Sequence, residues 1–197
     1  MNWLRGTALA ASWPAGWDQV AAKLARGVVI VVLPLLSLVL LRARPGAFGV
    51  GLGRWRKWLP DIAILYLLML PLVAWAATRP SFQRVYPYFA LQRLGPGWFV
   101  FGLAVRLCYM FCWEFLFRGY LLFGFERRVG AAAAIGVSTV PFVLMHFGKP
   151  LPELYGSVVA GLVLGFVAVR GRSFIPCAIL HFAVAATLDV AALLAGT

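Results

Sequence analysis

Acidic side chains are scarce in this chain: its 197 residues include six Asp and Glu against 18 Lys and Arg. Charged residues make up only 12% of the sequence, whereas hydrophobic residues make up 63%. A soluble domain is about half apolar and about a quarter charged. One core of about 200 residues cannot bury so much apolar surface, so lipid must cover the remainder. The composition therefore excludes a soluble globular protein and a disordered chain, and it predicts an integral membrane protein.

Cysteine is also scarce, and its three residues all lie inside apolar runs: Cys108, Cys112 and Cys177. They form no CxxC pair, so we expect apolar packing residues rather than a disulfide scaffold or a metal site. The net charge of +12 could suggest nucleic acid, but the basic residues form short clusters between long apolar runs. Such clusters are typical of helix ends in membrane proteins. We therefore expect the lipid bilayer, and no nucleic acid, as a partner.

Apolar runs predict an all-α bundle of about six membrane-spanning helices, in one membrane domain over residues 1–197. Residues 1–26 combine tryptophans with Lys23 and Arg26, which predicts an N-terminal segment on the membrane surface. The loop 79–97 is expected to carry a short surface helix. The predicted spans are 27–41, 60–78, 98–125, 129–147, 153–169 and 173–194.

The only two histidines of the chain, His146 and His181, lie in predicted spans, and Glu114 lies deep in a third span. A charged carboxylate at that depth is costly unless it is paired or solvated, so such residues usually face the bundle interior and mark a site. Arg118 follows Glu114 by four residues and shares its helix face, which predicts an internal ion pair. A carboxylate with two imidazoles can deprotonate a water molecule, or bind a metal that does so.

These residues stand in three ordered motifs that resemble those of the CPBP family, named for CAAX proteases and bacteriocin processing. Residues 114–119 (EFLFRG) resemble the family's first motif, EExxxR, and residues 142–146 (FVLMH) match the second, FxxxH. His181 begins the third, HxxxN. The resemblance covers about residues 98–194, the predicted catalytic core. It implies an intramembrane endopeptidase of a bacterial cytoplasmic membrane, acting on a membrane-associated protein or peptide.

For the site, the resemblance implies a water activated by Glu114 and His146. We expect His181 to orient the water or stabilise the oxyanion, and Arg118 to hold Glu114. A metal-free glutamic mechanism is favoured because the chain has no HExxH motif. Zinc is the alternative, with Glu114, His146 and His181 as ligands. Glu153 opens the fifth predicted helix and is expected to cap it or pair with Lys149, with a supporting place at the site mouth as the alternative.

Two positions depart from the family's motifs. Trp113 stands in place of the first Glu of EExxxR, and Ala185 stands in place of the Asn of HxxxN. Either Glu114 serves as the single catalytic carboxylate, or the chain is an inactive relative that acts as a membrane binding, chaperone or immunity protein. A small transporter is a third reading, which the lack of an inverted repeat disfavours. The substrate stays open between C-terminal processing and removal of a leader or sorting signal.

Overall fold

The computed structural model describes residues 16–196, and this part of the chain is helical without any β-strand. A π-helix, Phe115–Leu122, joins the third long helix to the fourth without interruption. Short helical turns occupy Pro45–Phe48, Pro80–Gln83 and Ala90–Arg93. The predicted all-α class is confirmed. The long helices are α1 Trp17–Leu40, α2 Trp55–Ala77, α3 Pro96–Glu114, α4 Phe123–Leu144, α5 Leu151–Gly171 and α6 Ile175–Ala195.

Five helical runs are long and apolar enough to cross a membrane, and one of them, Pro96–Leu144, is 49 residues long. A straight helix of that length would measure about 74 Å. That is more than twice the hydrocarbon core of a bilayer, roughly 30 Å. The run turns back at Gly130, whose φ of 79° and ψ of 165° are not helical. The rings of Phe117 and Phe142, on the two sides of this turn, lie 5.4 Å apart. The run is therefore a hairpin of two spans, which gives six crossings, as predicted.

The first helix differs from its predicted span because it begins at Trp17 rather than at residue 27. Lys23 lies inside this helix and is buried against the rings of Tyr88 and Tyr109. Residues 17–26 thus continue the helix of the first predicted span. Their place at the membrane surface stays a prediction. For residues 1–15 the surface prediction concerns a part of the chain outside the described residues.

Helix α3 packs between α1 and α6, while α2 packs on α6 and α4 packs on α5. Helix α1 presents a row of exposed aliphatic side chains away from the bundle, which suits contact with lipid tails: Val29, Leu33, Leu36 and Leu40. The polar residues of α3 and α6 instead point inward, so these two helices form the wall on which the site is built.

Helices α4 and α5 approach closely because α5 carries glycines four residues apart, at Gly161 and Gly165. A Cβ at position 165 would lie 2.8 Å from Cγ2 of Ile135, and a Cβ at position 161 would overlap Cγ2 of Thr139. Small residues at this spacing allow two helix backbones to pack closely in a membrane. The approach also brings the Gly161 carbonyl within reach of the π-helix.

The loop between α2 and α3 carries the short helix that the sequence predicts, at Pro80–Gln83. Much of this loop is buried rather than on the surface: Tyr86, Phe89 and Leu91 are almost fully covered. The backbone N–H of Tyr88 donates to Oδ1 of Asp189 on α6, at 2.9 Å. The loop is therefore a packed part of the bundle, at the end of the molecule where α4 gives way to α5.

Candidate active site

The structure brings Glu114, Arg118, His146 and His181 together from four segments of the chain. Glu114 ends α3, Arg118 lies in the π-helix, His146 follows α4, and His181 lies on α6. The Nδ1–H of His181 donates to Oε1 of Glu114 at 2.6 Å. The rings of His146 and His181 are nearly parallel, at 20°, with their centroids 6.4 Å apart. Three titratable groups therefore converge on one region, although they come from three different spans.

The ion pair predicted between Glu114 and Arg118 is present, with Nη1 of Arg118 3.0 Å from Oε2 of Glu114. Both side chains are fully buried. The guanidinium also donates through Nη2 to the Gly161 carbonyl, at 3.3 Å, and lies 4.0 Å from the ring centroid of Phe142. The π-helix begins directly after Glu114, and such segments are frequent at functional sites. Arg118 thus ties the carboxylate to α4 and α5.

The hydrogen bonds of the two histidines determine which ring nitrogen is free to accept a proton. The Nδ1–H of His146 donates to the Phe142 carbonyl at 2.8 Å. Because a carbonyl and a carboxylate only accept, both histidines are protonated at Nδ1, and in the neutral ring Nε2 carries a lone pair. The His181 side chain keeps 20% of its surface exposed, whereas that of Glu114 has none. The imidazole of His181, rather than the Glu114 carboxylate, is therefore the group with accessible surface.

The Trp113 side chain packs against aromatic rings next to the site. Its ring centroid lies 5.1 Å from that of Phe117, 6.2 Å from that of Phe142 and 5.9 Å from that of His146. The indole Nε1 is buried and has no hydrogen-bond partner among residues 16–196. Ala185 is also buried, one turn beyond His181 on α6. Both positions that depart from the family's motifs therefore carry packing residues next to the site.

The sequence leaves zinc as an alternative cofactor, with Glu114, His146 and His181 as its predicted ligands. Within residues 16–196, no group of three or more His, Cys, Asp or Glu side chains has the spacing to hold a metal ion. The two oxygens of Glu114 face His181 and Arg118 instead. This donor arrangement does not fit zinc, so we derive no step through a metal.

Glu153 does not join the four residues but pairs with Lys149 at 3.2 Å, as predicted for the first turn of α5. The Tyr86 hydroxyl donates a hydrogen bond to Oε1 of the same carboxylate, at 2.8 Å. Lys149 donates to the Tyr86 hydroxyl at 2.9 Å. Burial lowers the pKa of Lys149, and the Glu153 charge acts in the opposite direction. Burial likewise raises the pKa of Tyr86. This polar group lies just beyond His146, whose carbonyl accepts from the Lys149 N–H.

Arg106 and Asp189 form a second buried ion pair, which the sequence analysis did not predict. Arg106 precedes Glu114 by eight residues on α3, and Asp189 follows His181 by eight residues on α6. Since the two helices are antiparallel, equal spacings bring both pairs into register. The matching spacing of four rare polar residues was the signal for this pairing.

Comparison with known proteins gives one match. Residues 95–187 match the family model described as type II CAAX prenyl endopeptidase Rce1-like. The matched segment is close to half of the chain, and it includes all four converging residues as well as Trp113, Glu153 and Ala185. It begins three residues before the predicted catalytic core and ends seven residues before that core's end. No curated protein and no solved structure matches the chain.

Proposed function

Through residues 95–187 the chain belongs to the CPBP family, and from this premise we propose that it cleaves a membrane-associated protein with a water activated at the Glu114–His181 pair. The family match supports a protease of the CAAX type, and the six apolar spans support an integral membrane protein. The observation that carries the proposed mechanism is the 2.6 Å hydrogen bond from Nδ1 of His181 to Glu114. It leaves Nε2 of His181 free to accept a proton.

In the proposed reaction, the water gives a proton to Nε2 of His181 as its oxygen bonds to the substrate carbonyl carbon. The electron pair of the C=O bond moves to the carbonyl oxygen. Glu114 stabilises the imidazolium that forms, as the carboxylate does in a catalytic triad. When the tetrahedral intermediate collapses, the C–N bond breaks and His181 returns the proton to the leaving amine. His146, with its own free Nε2, accepts the second water proton in a hydrogen bond and so orients the attack.

This assignment moves the base from Glu114, where the sequence suggested it, to His181. Glu114 has no exposed surface, and both of its oxygens face a cationic or N–H group. A water molecule would have to displace one of these partners to reach it. Glu114 then acts through His181, as a positioning and charge-stabilising residue, and Arg118 holds Glu114 in place.

The test is cleavage of a prenylated peptide that ends in Cys and three further residues, using purified protein in detergent. Removal of the proton-transfer group should lower kcat by about 100-fold or more, so His181→Ala and Glu114→Gln are expected to lose nearly all turnover. His146→Ala should lose turnover as well. The matched control is Glu126→Gln, the same chemical change at a carboxylate that pairs with Arg172 near the surface. Full cleavage by His181→Ala at equal protein levels would refute the mechanism.

A non-catalytic binding protein is the second candidate, and the packing of Trp113 against His146 is the observation that favours it. In that case the wild-type protein would bind a membrane partner without cleaving it. Binding would survive His181→Ala and His146→Ala, since no proton transfer is needed. Cleavage by the wild type that disappears in His181→Ala would exclude this candidate.

A further inference from the structure

Three cations surround the ring of Tyr88 at the end of the bundle that holds His146. The Lys23 ammonium lies 3.9 Å from the ring centroid, while the Arg106 guanidinium carbon and the Lys149 ammonium each lie 5.4 Å from it. We call these three side chains the Tyr88 cation cluster. Lys23 also lies 3.9 Å from the centroid of the Tyr109 ring. The cations come from α1, α3 and the link after α4, so the fold itself gathers them.

The acids near the cluster are already engaged. Asp189 pairs with Arg106 and also accepts from the Tyr88 N–H and from the Gln92 side chain. Glu153 pairs with Lys149 and Tyr86. Three positive charges therefore face two negative ones. The charge left over is that of Lys23, which is only 8% exposed and forms no ion pair with residues 16–196.

Among residues 16–196, the Lys23 ammonium faces two aromatic rings and pairs with no carboxylate. Cation–π contacts stabilise a buried cation only in part. The penalty for taking an ion out of water is larger, so part of it stays uncompensated. Arg106 and Lys149 are each paired with one carboxylate, so the excess at this place is one positive charge. An anionic group would complete the charge balance. Tyr88 and Lys149 are each partly exposed, so the cluster has accessible surface at which such a group could approach.

The distance between the Tyr88 cation cluster and the candidate active site indicates which anion could bind there. Tyr109 and Arg106 precede Glu114 on α3 by five and eight residues, which corresponds to about 8 and 12 Å along the helix. Three extended residues span about 10 Å. A C-terminal CAAX box has three residues after its cysteine. A substrate with its scissile bond beside His181 and three residues beyond it would place its terminal carboxylate at the cluster.

We propose that Lys23, Arg106 and Lys149 form a binding site for the C-terminal carboxylate of the substrate. The proposal rests on the proposed function, because it uses the position of the scissile bond at His181. Lys23 supplies the unpaired charge, and Arg106 and Lys149 are held near the same ring by Asp189 and Glu153. The site would select substrates whose free C-terminus lies a fixed distance from the cleaved bond.

The experiment measures binding rather than turnover. Glu114→Gln protein in zwitterionic nanodiscs is titrated with one fluorescent prenylated peptide, made as the free acid and as the C-terminal amide. A hydrogen-bonded charge pair adds about 1.5–3 kcal/mol, so the acid should bind about tenfold more tightly or better. Lys23→Met in the same background should bring the ratio of the two Kd values close to one. Equal Kd values in the Glu114→Gln protein would overturn the proposal.

Two variants separate recognition from a general effect. Lys23→Arg keeps the charge and should keep the preference for the acid. Arg79→Gln removes an exposed cation that lies 4.7 Å from the Trp75 ring centroid, outside the cluster, and should keep the preference as well. A preference for the acid that survives Lys23→Met, or that disappears equally in Arg79→Gln, would contradict the site.

Lipid phosphate has the same chemistry as a carboxylate, so the titration is repeated in nanodiscs with phosphatidylglycerol. If this lipid abolishes the preference for the acid, the cluster is a lipid site and the proposal fails. The outcome for cleavage is separate. A Lys23-dependent preference without any cleavage by the wild type would support the carboxylate site and count against the protease. If cleavage depends on His181 but is equal for the free acid and the C-terminal amide, the result supports the protease and counts against the carboxylate site.

Discussion

At the scale of single residues, the charge of Glu114 depends on two partners of different kinds. Arg118 supplies a full and permanent positive charge at 3.0 Å, while His181 supplies a hydrogen bond at 2.6 Å. Breaking a buried ion pair by removing one partner is strongly destabilising, because the remaining charge stays buried. The same pair can therefore stabilise the fold and hold the base, and a double-mutant cycle can separate the two roles.

For Arg118→Met we expect a loss of stability of about 3–5 kcal/mol, because Glu114 would keep a buried charge without its cation. Glu114→Gln removes that charge, so the double variant should regain most of the loss. Thermal unfolding in detergent, for the wild type and the three variants, gives the coupling free energy. If the double variant is no more stable than Arg118→Met, the pair does not carry the stability that we assign to it.

Trp113 is expected to stabilise the site through the packing of its ring and not through its N–H, since Nε1 has no partner in the part of the chain that the structure describes. Trp113→Phe keeps an aromatic ring and leaves only a small cavity, so it should lose less stability than Trp113→Ala and keep its cleavage rate. Trp113→Ala should lose about 3–5 kcal/mol, because a cavity opens among Phe117, Phe142 and His146. Thermal unfolding and the cleavage assay measure both. A Trp113→Phe variant as unstable as Trp113→Ala would contradict this role of the ring.

The sequence predicted which residues meet but not how they meet. Glu114, Arg118, His146 and His181 were recognisable because polar side chains in apolar spans need internal partners. Which nitrogen of each histidine is free depends on the Phe142 carbonyl and on the orientation of α6 toward α3. That orientation is a property of the packed bundle. No spacing within one helix encodes it.

At the scale of helices, the close contact between α4 and α5 determines the position of the Arg118 guanidinium. Gly161 touches Thr139 and also offers its carbonyl to Arg118. A side chain at this position would push α5 away from α4 and would draw the carbonyl away from the guanidinium. The glycine therefore couples helix packing to the geometry of the site.

Gly161→Ala should cost about 1–3 kcal/mol by overpacking, and it should also reduce cleavage because Arg118 loses its carbonyl. The matched control is Gly156→Ala on the same helix, where a Cβ would have no neighbour within 4 Å. Thr139→Ala should restore part of the stability of Gly161→Ala by removing the methyl group in its way. Thermal unfolding measures these effects. Because alanine favours a helix over glycine, Gly156→Ala should be neutral or slightly stabilising. A Gly161→Ala variant as stable as Gly156→Ala would show that position 161 is not tightly packed.

The helices themselves could largely be predicted from apolar runs, and α2, α5 and α6 begin within five residues of their predicted spans. The start of α1 could not be predicted. Trp17, Lys23 and Arg26 have the composition of a surface segment, but Lys23 is buried against Tyr88 and Tyr109. These rings come from a loop and a helix far along the chain. A local pattern carries no information about such distant partners.

At the scale of the whole molecule, two polar links in register join α3 to α6, and the turn at Gly130 folds a 49-residue run into a hairpin. The first feature places Glu114 beside His181, and the second places Phe142 and His146 beside them. The topology of six crossings is therefore what assembles the site. It makes a direct prediction about which loops share a side of the membrane.

The loop before α3 and the link before α5 are expected to share one side of the membrane, and the loop after α1 and the turn near Gly130 should share the other. Single cysteines replace Arg93, Pro152, Arg44 or Arg128, all exposed, in a chain whose native cysteines are changed to alanine. A membrane-impermeant maleimide added to sealed vesicles should label Arg93→Cys and Pro152→Cys together, and Arg44→Cys and Arg128→Cys only from the opposite face. If Pro152→Cys were labelled with Arg44→Cys instead, the run from Pro96 to Leu144 would cross once, and His146 could not meet His181. Because the converging histidines require the hairpin, this labelling pattern tests the fold and the proposed site together.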